Sequence, residues 1–317
     1  MDPGPTRPFE PPLATAAELA ERIEANRALV DRHLSAPARW SGPVSRELRG
    51  GPAPEVRRRV ADAFNWLVGL AAGRRPPESD TALALELHDY VLAPEEGRRG
   101  VLRARAVRIG EQRFPAPDGP ATLGERADHL FRELARSRDS APIRAARVHL
   151  ELMRLHPFED GNGRVARLLA AYVLLCSGYR STLFTAVDQH AAHAPEAYCA
   201  SLREVTAGAL SPADWIHYAV DAMARGSDLV AWFRARRCRV MERCAALGLD
   251  EHESEAALIR FDLDGRAFPP PEAGFAGERP WKEIVARLPW PERRALGLQL
   301  RRLREEEAAQ GRPDGPY

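Results

Sequence analysis

Residues 156–167 bring together most of the side chains in this chain that could do chemistry. They read HPFEDGNGRVAR and hold an imidazole, two adjacent carboxylates, a Gly-Asn-Gly turn and two arginines. An imidazole titrates near neutral pH and can act as a general base, and carboxylate oxygens are ligands that Mg²⁺ prefers. His156 is therefore a candidate general base, and Asp160 is a candidate metal ligand.

The glycines of this motif fall where a helix is predicted to begin, because apolar residues recur at helical spacing on both sides of it. The first amides of a helix have no partner within the helix and lie at the positive end of its dipole. Glycines let a ligand approach those amides closely. Gly161, Asn162 and Gly163 are thus predicted to line an anion site at a helix start.

Arg164 and Arg167 are three residues apart in the first turn of that helix. Cations at this end oppose the helix dipole, and a bound polyphosphate with its Mg²⁺ on Asp160 would resolve the conflict. The alternative interpretation is a helix-connecting turn with solvated charges and a core histidine. It explains each residue singly, but the constellation favours the phosphate site.

The motif matches every fixed position of HPFx(D/E)GNGRxxR and so resembles the Fic family of nucleotidyl transferases over about residues 44–225. The resemblance implies an all-α, Fic-type helical bundle with a small β-hairpin flap. It also implies that His156 deprotonates a target hydroxyl and that Asp160 coordinates Mg²⁺ between the α- and β-phosphates of ATP. Arg164 would contact the β-phosphate and Arg167 the γ-phosphate.

Residues 101–114 mix β-branched and arginine residues before two prolines, which predicts a short hairpin where the family has its flap. The resemblance implies that a protein target pairs with this flap as an added strand. The flap tip would comprise Ile109, Gly110, Glu111 and Gln112.

Tyr198 resembles the family tyrosine that lies beside adenine, with an ordinary core position as the alternative. The asparagine usual further along that helix is here Thr206, which leaves the nucleotide base open.

Residues 44–51 resemble the inhibitory-helix motif (S/T)xxxE(G/N) of some family members, with one departure. Its serine and glycine are present, but Arg49 stands where the inhibitory glutamate would pair with Arg167. Two guanidinium groups repel each other, so this brake is predicted to be absent or altered. Glu47 is the alternative carboxylate, although it falls on another face of the helix.

The overall composition excludes several classes of protein. Forty-six basic against 45 acidic residues give a net charge of +1, which does not favour a nucleic-acid or membrane partner. Lys282 is the only lysine, so neither a Walker A sequence nor a kinase-type strand lysine is present. Abundant alanine, glycine and proline suggest a bacterial coding bias.

The four cysteines show neither CxxC nor zinc spacing, and Cys176 is predicted to lie in the core. No signal pattern and no apolar run long enough to cross a bilayer are evident. These features predict a cytoplasmic protein.

The chain is predicted to divide into three parts: an N-terminal helical region (1–95), a catalytic core (96–225) and a C-terminal helical extension of unassigned role (226–317). Separate helices are predicted over 213–223 and 230–247. Residues 281–307 could form a helix-turn-helix, but their mixed charges favour a solvated amphipathic tail.

The resemblance to the Fic family implies a protein adenylyltransferase that uses ATP and Mg²⁺ to transfer AMP to a Ser, Thr or Tyr hydroxyl of a target protein. Self-modification and a homodimer are compatible with this prediction. The alternatives are a Fic-fold transferase of another group, such as UMP or phosphate, and a non-catalytic regulatory or DNA-contacting protein.

Overall fold

The computed structural model describes residues 14–31, 54–73, 79–109, 112–117, 120–179 and 195–246, with single positions at 305 and 309. The inhibitory-helix segment 44–51, the flap-tip residues Gly110 and Glu111 and most of the C-terminal extension lie outside the described residues.

The described residues are mostly helical, which confirms the predicted fold class. The helices are α1 (Ala16–Asp31), α2 (Pro54–Ala71), α3 (Thr81–Val91), α4 (Pro120–Arg136), α5 (Ala141–Leu155), α6 (Asn162–Cys176), α7 (Pro195–Ala207) and α8 (Pro212–Ala245). A short 3₁₀ turn (Pro94–Glu96) follows α3, and strands β1 (Val107–Ile109) and β2 (Gln112–Phe114) precede α4.

The two strands form an antiparallel hairpin in which Val107 pairs with Phe114, Arg108 with Arg113, and Ile109 with Gln112. The hairpin is shorter than the predicted span of 101–114. The N–H of Arg103 donates to the carbonyl of Pro157 in the motif loop instead of to a second strand. The residues before β1 therefore belong to the surroundings of the motif.

Helices α5 and α6 pack against each other at the centre of the bundle. Helices α2 and α3 contact α6, whereas α1, α4 and α7 contact α5. Leu150 and Leu152 on α5 and Leu169 and Tyr172 on α6 are almost completely buried. Each such side chain contributes roughly 1.5–3 kcal/mol relative to exposure, so the loop between α5 and α6 is anchored firmly at both ends.

A capping box stands at the start of α1. The Thr15 N–H donates to Glu18 Oε2 at 2.7 Å, and the Glu18 N–H donates to Thr15 Oγ1 at 3.3 Å.

Two predictions about the later helices are wrong. Helix α8 is continuous through Gly226 and Ser227, where two separate helices were expected. The Ser227 hydroxyl donates to the Ala224 carbonyl and accepts from the Asn26 side chain of α1, so the helix continues at a glycine that disfavours it. Cys176 is exposed rather than in the core, since it is the last residue of α6.

Residues Met1–Asp228 together with Gly315–Tyr317 form one compact unit, and Leu229–Asp314 form another. The candidate site lies entirely within the first unit. Among the described residues, no helix is both long and apolar enough to span a bilayer.

Candidate active site

His156 ends helix α5 in a left-handed backbone conformation, with φ of 49°. It is the one non-glycine residue with positive φ among those described. Its N–H still donates to the Leu152 carbonyl at 2.9 Å. This conformation costs roughly 1–3 kcal/mol and persists only where surrounding contacts hold it in place. The chain turns sharply at the candidate base as a result.

The His156 imidazole is almost completely covered, with 2% of the residue exposed. One face stacks on the ring of Phe114 at the end of β2, with centroids 4.1 Å apart and planes inclined by 17°. Burial lowers the pKa of His156 to about 4, although the Met153 carbonyl acts in the opposite direction, and nearby Arg103 lowers it further. His156 is therefore neutral at pH 7, the form that a general base requires.

Asn162 closes the loop that follows His156. Its Oδ1 accepts the Phe158 N–H at 2.9 Å, and its Nδ2 donates to the Phe158 carbonyl, also at 2.9 Å. Both residues are buried. The Asn162 side chain thus satisfies the loop backbone, and any anion-binding contribution from this residue would come from its main chain.

His88 of α3 supports the loop from behind. Its Nδ1 accepts the Gly100 N–H at 3.0 Å, so Nε2 carries the proton and donates to the Asp160 carbonyl, 3.1 Å away. Its ring stacks on Phe158 at 3.9 Å, and burial lowers its pKa. Gly161 lies against this imidazole with φ of 76°, and a Cβ at Gly161 would stand 3.2 Å from His88 Cδ2. Gly161 therefore meets both a conformational and a steric requirement.

Helix α6 begins just after Gly161, and no side chain in the described part of the chain caps its first turn. The amides that follow Gly161 are thus available to an anion.

Asp160 lies at the solvent side of this helix start, with 59% of its side chain exposed. Its Oδ1 accepts the Gly161 N–H at 2.5 Å, and its Oδ2 lies 3.6 Å from Arg164 Nη2. The described residues contain no cluster of three or more metal-ligating side chains. One accessible carboxylate nonetheless fits Mg²⁺, which commonly binds through one or two carboxylates, substrate phosphates and water.

Arg164 has a counter-charge within the protein. Its Nη1 donates to Glu96 Oε2 and its Nη2 to Glu96 Oε1, both at 2.9 Å, and Nη1 also donates to the Val91 carbonyl. The Arg164 guanidinium holds the pKa of the Glu96 carboxyl below its usual range. This bidentate pair offsets the conflict between Arg164 and the helix dipole, which the sequence alone suggested a phosphate would resolve.

Arg167 is half-buried and folds back over the start of its own helix. A Cβ on Gly163 would stand 3.1 Å from Arg167 Nη1, so the glycine makes room for the guanidinium. The positive charge of Arg167 also contributes to the low pKa of His149, after burial. Arg164 and Arg167 thus have different surroundings, and their joint contact with one polyphosphate remains a prediction.

Tyr198 lies in the core, with 5% of the residue exposed. Its hydroxyl lies 2.7 Å from Nε2 of His149, a fully buried residue whose ring stacks on Trp215. Burial lowers the pKa of His149 to about 3, so its side chain is neutral. The position matches the core alternative for Tyr198, and the adenine contact stays a prediction.

Sequence reasoning missed four residues that shape the site: Arg103, Phe114, His88 and Glu96. Each acts on the motif from a distant part of the chain, and only the apolar character of Phe114 beside the predicted flap offered a signal. Of the predicted flap-tip residues, Ile109 and Gln112 form the last pair of the hairpin.

Residues 78–174, which include the motif, match the model of the Fic/DOC family. The chain carries a Fic/DOC-family domain.

Relatives of this Fic/DOC domain include proteins named "Protein adenylyltransferase Fic". The one from Drosophila mojavensis is 31% identical over 152 residues, and the one from Aedes aegypti is 31% identical over 155 residues. In both, the match covers 47% of this chain and 28% of the relative. The chain thus corresponds to less than a third of the length of these relatives.

Two solved structures also resemble this chain. A Fic family protein from Desulfovibrio desulfuricans G20 aligns at a TM-score of 0.49 and 16% identity, over 77% of this chain and 76% of that one. A Fic domain containing signaling protein from Bacteroides thetaiotaomicron aligns at a TM-score of 0.44 and 19% identity, over 72% of this chain and 92% of that one.

Proposed function

We propose that this protein is an adenylyltransferase that transfers AMP from ATP to a Ser, Thr or Tyr hydroxyl of a protein. The observation that carries the proposal is the arrangement of one short loop. A neutral histidine stands at its first residue, an uncapped helix begins at its end, and the exposed Asp160 carboxylate lies between them. The relatives named protein adenylyltransferase support the same activity.

In this reaction the target hydroxyl oxygen attacks the α-phosphorus of ATP. A new P–O bond forms to the target, the bond between the α-phosphorus and the α,β-bridging oxygen breaks, and pyrophosphate leaves with that electron pair. His156 accepts the hydroxyl proton. Such a transfer requires positioning and charge stabilisation more than covalent participation by the protein.

The phosphates of ATP would meet the amides at the start of α6, with Arg164 and Arg167 near them. Asp160 would hold Mg²⁺, which when bound neutralises phosphate charge and favours departure of pyrophosphate. The protein target would pair with the flap as an added strand, which would bring its hydroxyl towards His156.

Intact-mass analysis of the wild type and of His156→Ala, each incubated with ATP and Mg²⁺, tests this proposal. We expect the wild type to gain the mass of one or more adenylate groups and His156→Ala to gain none. The variant should still unfold cooperatively above the assay temperature, so that loss of transfer can be assigned to the imidazole and not to unfolding.

ATP labelled at the α- or the γ-phosphate distinguishes the alternatives. Incubation with cell lysate and the protein should place α-label on protein. Label from the γ-phosphate without α-label would indicate phosphorylation instead of adenylylation. Label from UTP alone would indicate that the transferred group is UMP and not AMP. No label from any nucleotide, in either the lysate or the protein, would favour a non-catalytic role.

A further inference from the structure

Arg103 is a buried arginine without an acidic partner among the described residues. It is 5% exposed, and burial lowers its pKa. A guanidinium in such a place is costly unless its N–H groups are well satisfied. Three side-chain hydrogen bonds meet that need, and all of them go to backbone carbonyls.

Those carbonyls belong to segments that must be held together at the site. Nε donates to the His156 carbonyl at 2.6 Å, whereas Nη1 donates to Pro115 at 2.6 Å and to Arg105 at 2.9 Å. The Arg103 N–H adds a bond to the Pro157 carbonyl at 2.9 Å. One residue thus joins the end of β2 to the start of the motif loop.

The link to Pro115 matters because of the residue before it. Phe114 stacks on the His156 ring, and the adjacent Pro115 carbonyl is bound to the same guanidinium that holds the His156 backbone. The main chain of His156 is therefore linked to the flap through Arg103, and its ring contacts the flap directly through Phe114. A planar group with several fixed donors can bridge two carbonyls in this way, and an ammonium cannot reproduce the geometry.

We propose that Arg103 is a positioning residue that fixes the flap relative to His156, so that a hydroxyl delivered at the flap meets the base in the correct geometry. Arg103 acts through the His156 and Pro115 carbonyls and contacts neither nucleotide nor target. The kinetic part of this proposal rests on the proposed adenylyl transfer, and the structural part does not.

The kinetic test measures self-modification from α-labelled ATP with Mg²⁺ as a function of ATP concentration. In Arg103→Met the saturating rate should fall by roughly a hundred-fold, the scale expected for a base misplaced by about 1 Å. The half-saturating ATP concentration should stay unchanged, because Arg103 lies on the flap side of His156 and not at the start of α6. Arg105→Met is the matched control. Its side chain is 75% exposed and, among the described residues, pairs with Glu159 at the surface, so the variant should keep the wild-type rate.

The structural test needs no transfer activity. In protein labelled selectively at phenylalanine and histidine, nuclear Overhauser cross-peaks should join the Phe114 and His156 rings in the wild type and in Arg105→Met. They should be lost in Arg103→Met. If the methionine variant does not fold, Arg103→Lys replaces it in the test, because the lysine keeps a buried cation. Arg103→Lys should weaken the same cross-peaks and lower the saturating rate.

Wild-type cross-peaks and a wild-type rate in either Arg103 variant would overturn the proposal, as would a change confined to the half-saturating ATP concentration. If neither the wild type nor any lysate protein incorporates label, the proposed function fails, and the cross-peaks alone decide whether Arg103 fixes the flap.

Discussion

The rings of Phe114 and His156 lie face to face, 4.1 Å apart at their centroids, so a flap residue covers the candidate base. Because His156 is only 2% exposed, chemical access to its imidazole depends on where that phenyl ring stands.

Replacing Phe114 by alanine should expose the base. We expect diethylpyrocarbonate to modify His156 several-fold faster in Phe114→Ala, as measured by peptide mass spectrometry. Val107→Ala is the control, since Val107 pairs with Phe114 across the hairpin and should leave His156 protected. Equal modification rates in Phe114→Ala and the wild type would show that the ring does not limit access.

Asn162→Asp tests the closure of the motif loop. The change removes the donor to the Phe158 carbonyl and buries a carboxylate, so the free energy of unfolding should fall by about 2–4 kcal/mol. Asp160→Asn, a change two residues away on an exposed side chain, should alter that free energy by less than about 0.5 kcal/mol and instead weaken Mg²⁺-dependent ATP binding. Urea unfolding measures the free energy of unfolding of both variants, and similar losses in the two would argue against the structural role of Asn162.

Glu96→Gln should tighten ATP binding. The glutamine keeps the size of the side chain but removes the negative charge that faces Arg164. A phosphate group near this guanidinium would then meet more uncompensated positive charge, and the dissociation constant for ATP with Mg²⁺ should fall roughly three- to ten-fold in calorimetry. Glu95→Gln removes the same charge from an exposed neighbour and should change affinity little. Weaker binding in Glu96→Gln would mean that the carboxylate mainly orients Arg164.

Acid should destabilise the protein through its buried histidines. Burial lowers the pKa of His149 to about 3 and that of His156 to about 4, below the usual value near 6.5 of an unfolded chain. The unfolded state therefore binds more protons at intermediate pH, and stability is lost as pH falls from 6.5 towards 4. Each such histidine should contribute a slope of up to about 1.4 kcal/mol per pH unit. His149→Leu should reduce the measured slope by that amount in urea unfolding at a series of pH values, and an unchanged slope would remove His149 from the account.

The arginine at the inhibitory position predicts that no glutamate brake acts from residue 49. Arg49→Gly should leave the self-modification rate unchanged, whereas Arg49→Glu should lower it by restoring a carboxylate that can pair with Arg167. If Glu47→Gly instead raises the rate sharply, the brake operates from Glu47.

The helices and the motif could be predicted because their signals are local. Helical spacing and the Gly-Asn-Gly turn both lie within a few residues of the structure they specify. The contacts that shape the site are long-range. Arg103 reaches a carbonyl 53 residues away, and Glu96 reaches a guanidinium 68 residues away.

The same dependence on long-range contacts explains why the break in α8 and the span of the hairpin were predicted wrongly. A Gly-Ser pair favours a helix break on local grounds, and only a hydrogen bond from α1 to Ser227 reveals why α8 continues. An arginine among β-branched residues fits a strand, and only the fold shows that Arg103 bonds to the motif loop.

The pair of hydrogen bonds between Asn162 and Phe158 has a consequence for ligand affinity. Ordering a flexible residue costs about 1–2 kcal/mol of conformational entropy, and a loop that became ordered only on binding would lose that amount of affinity for each of its residues. In this protein the Asn162 and His88 side chains hold the loop in the absence of any ligand. The entropic cost therefore falls on folding, and a phosphate meets a preorganised receptor.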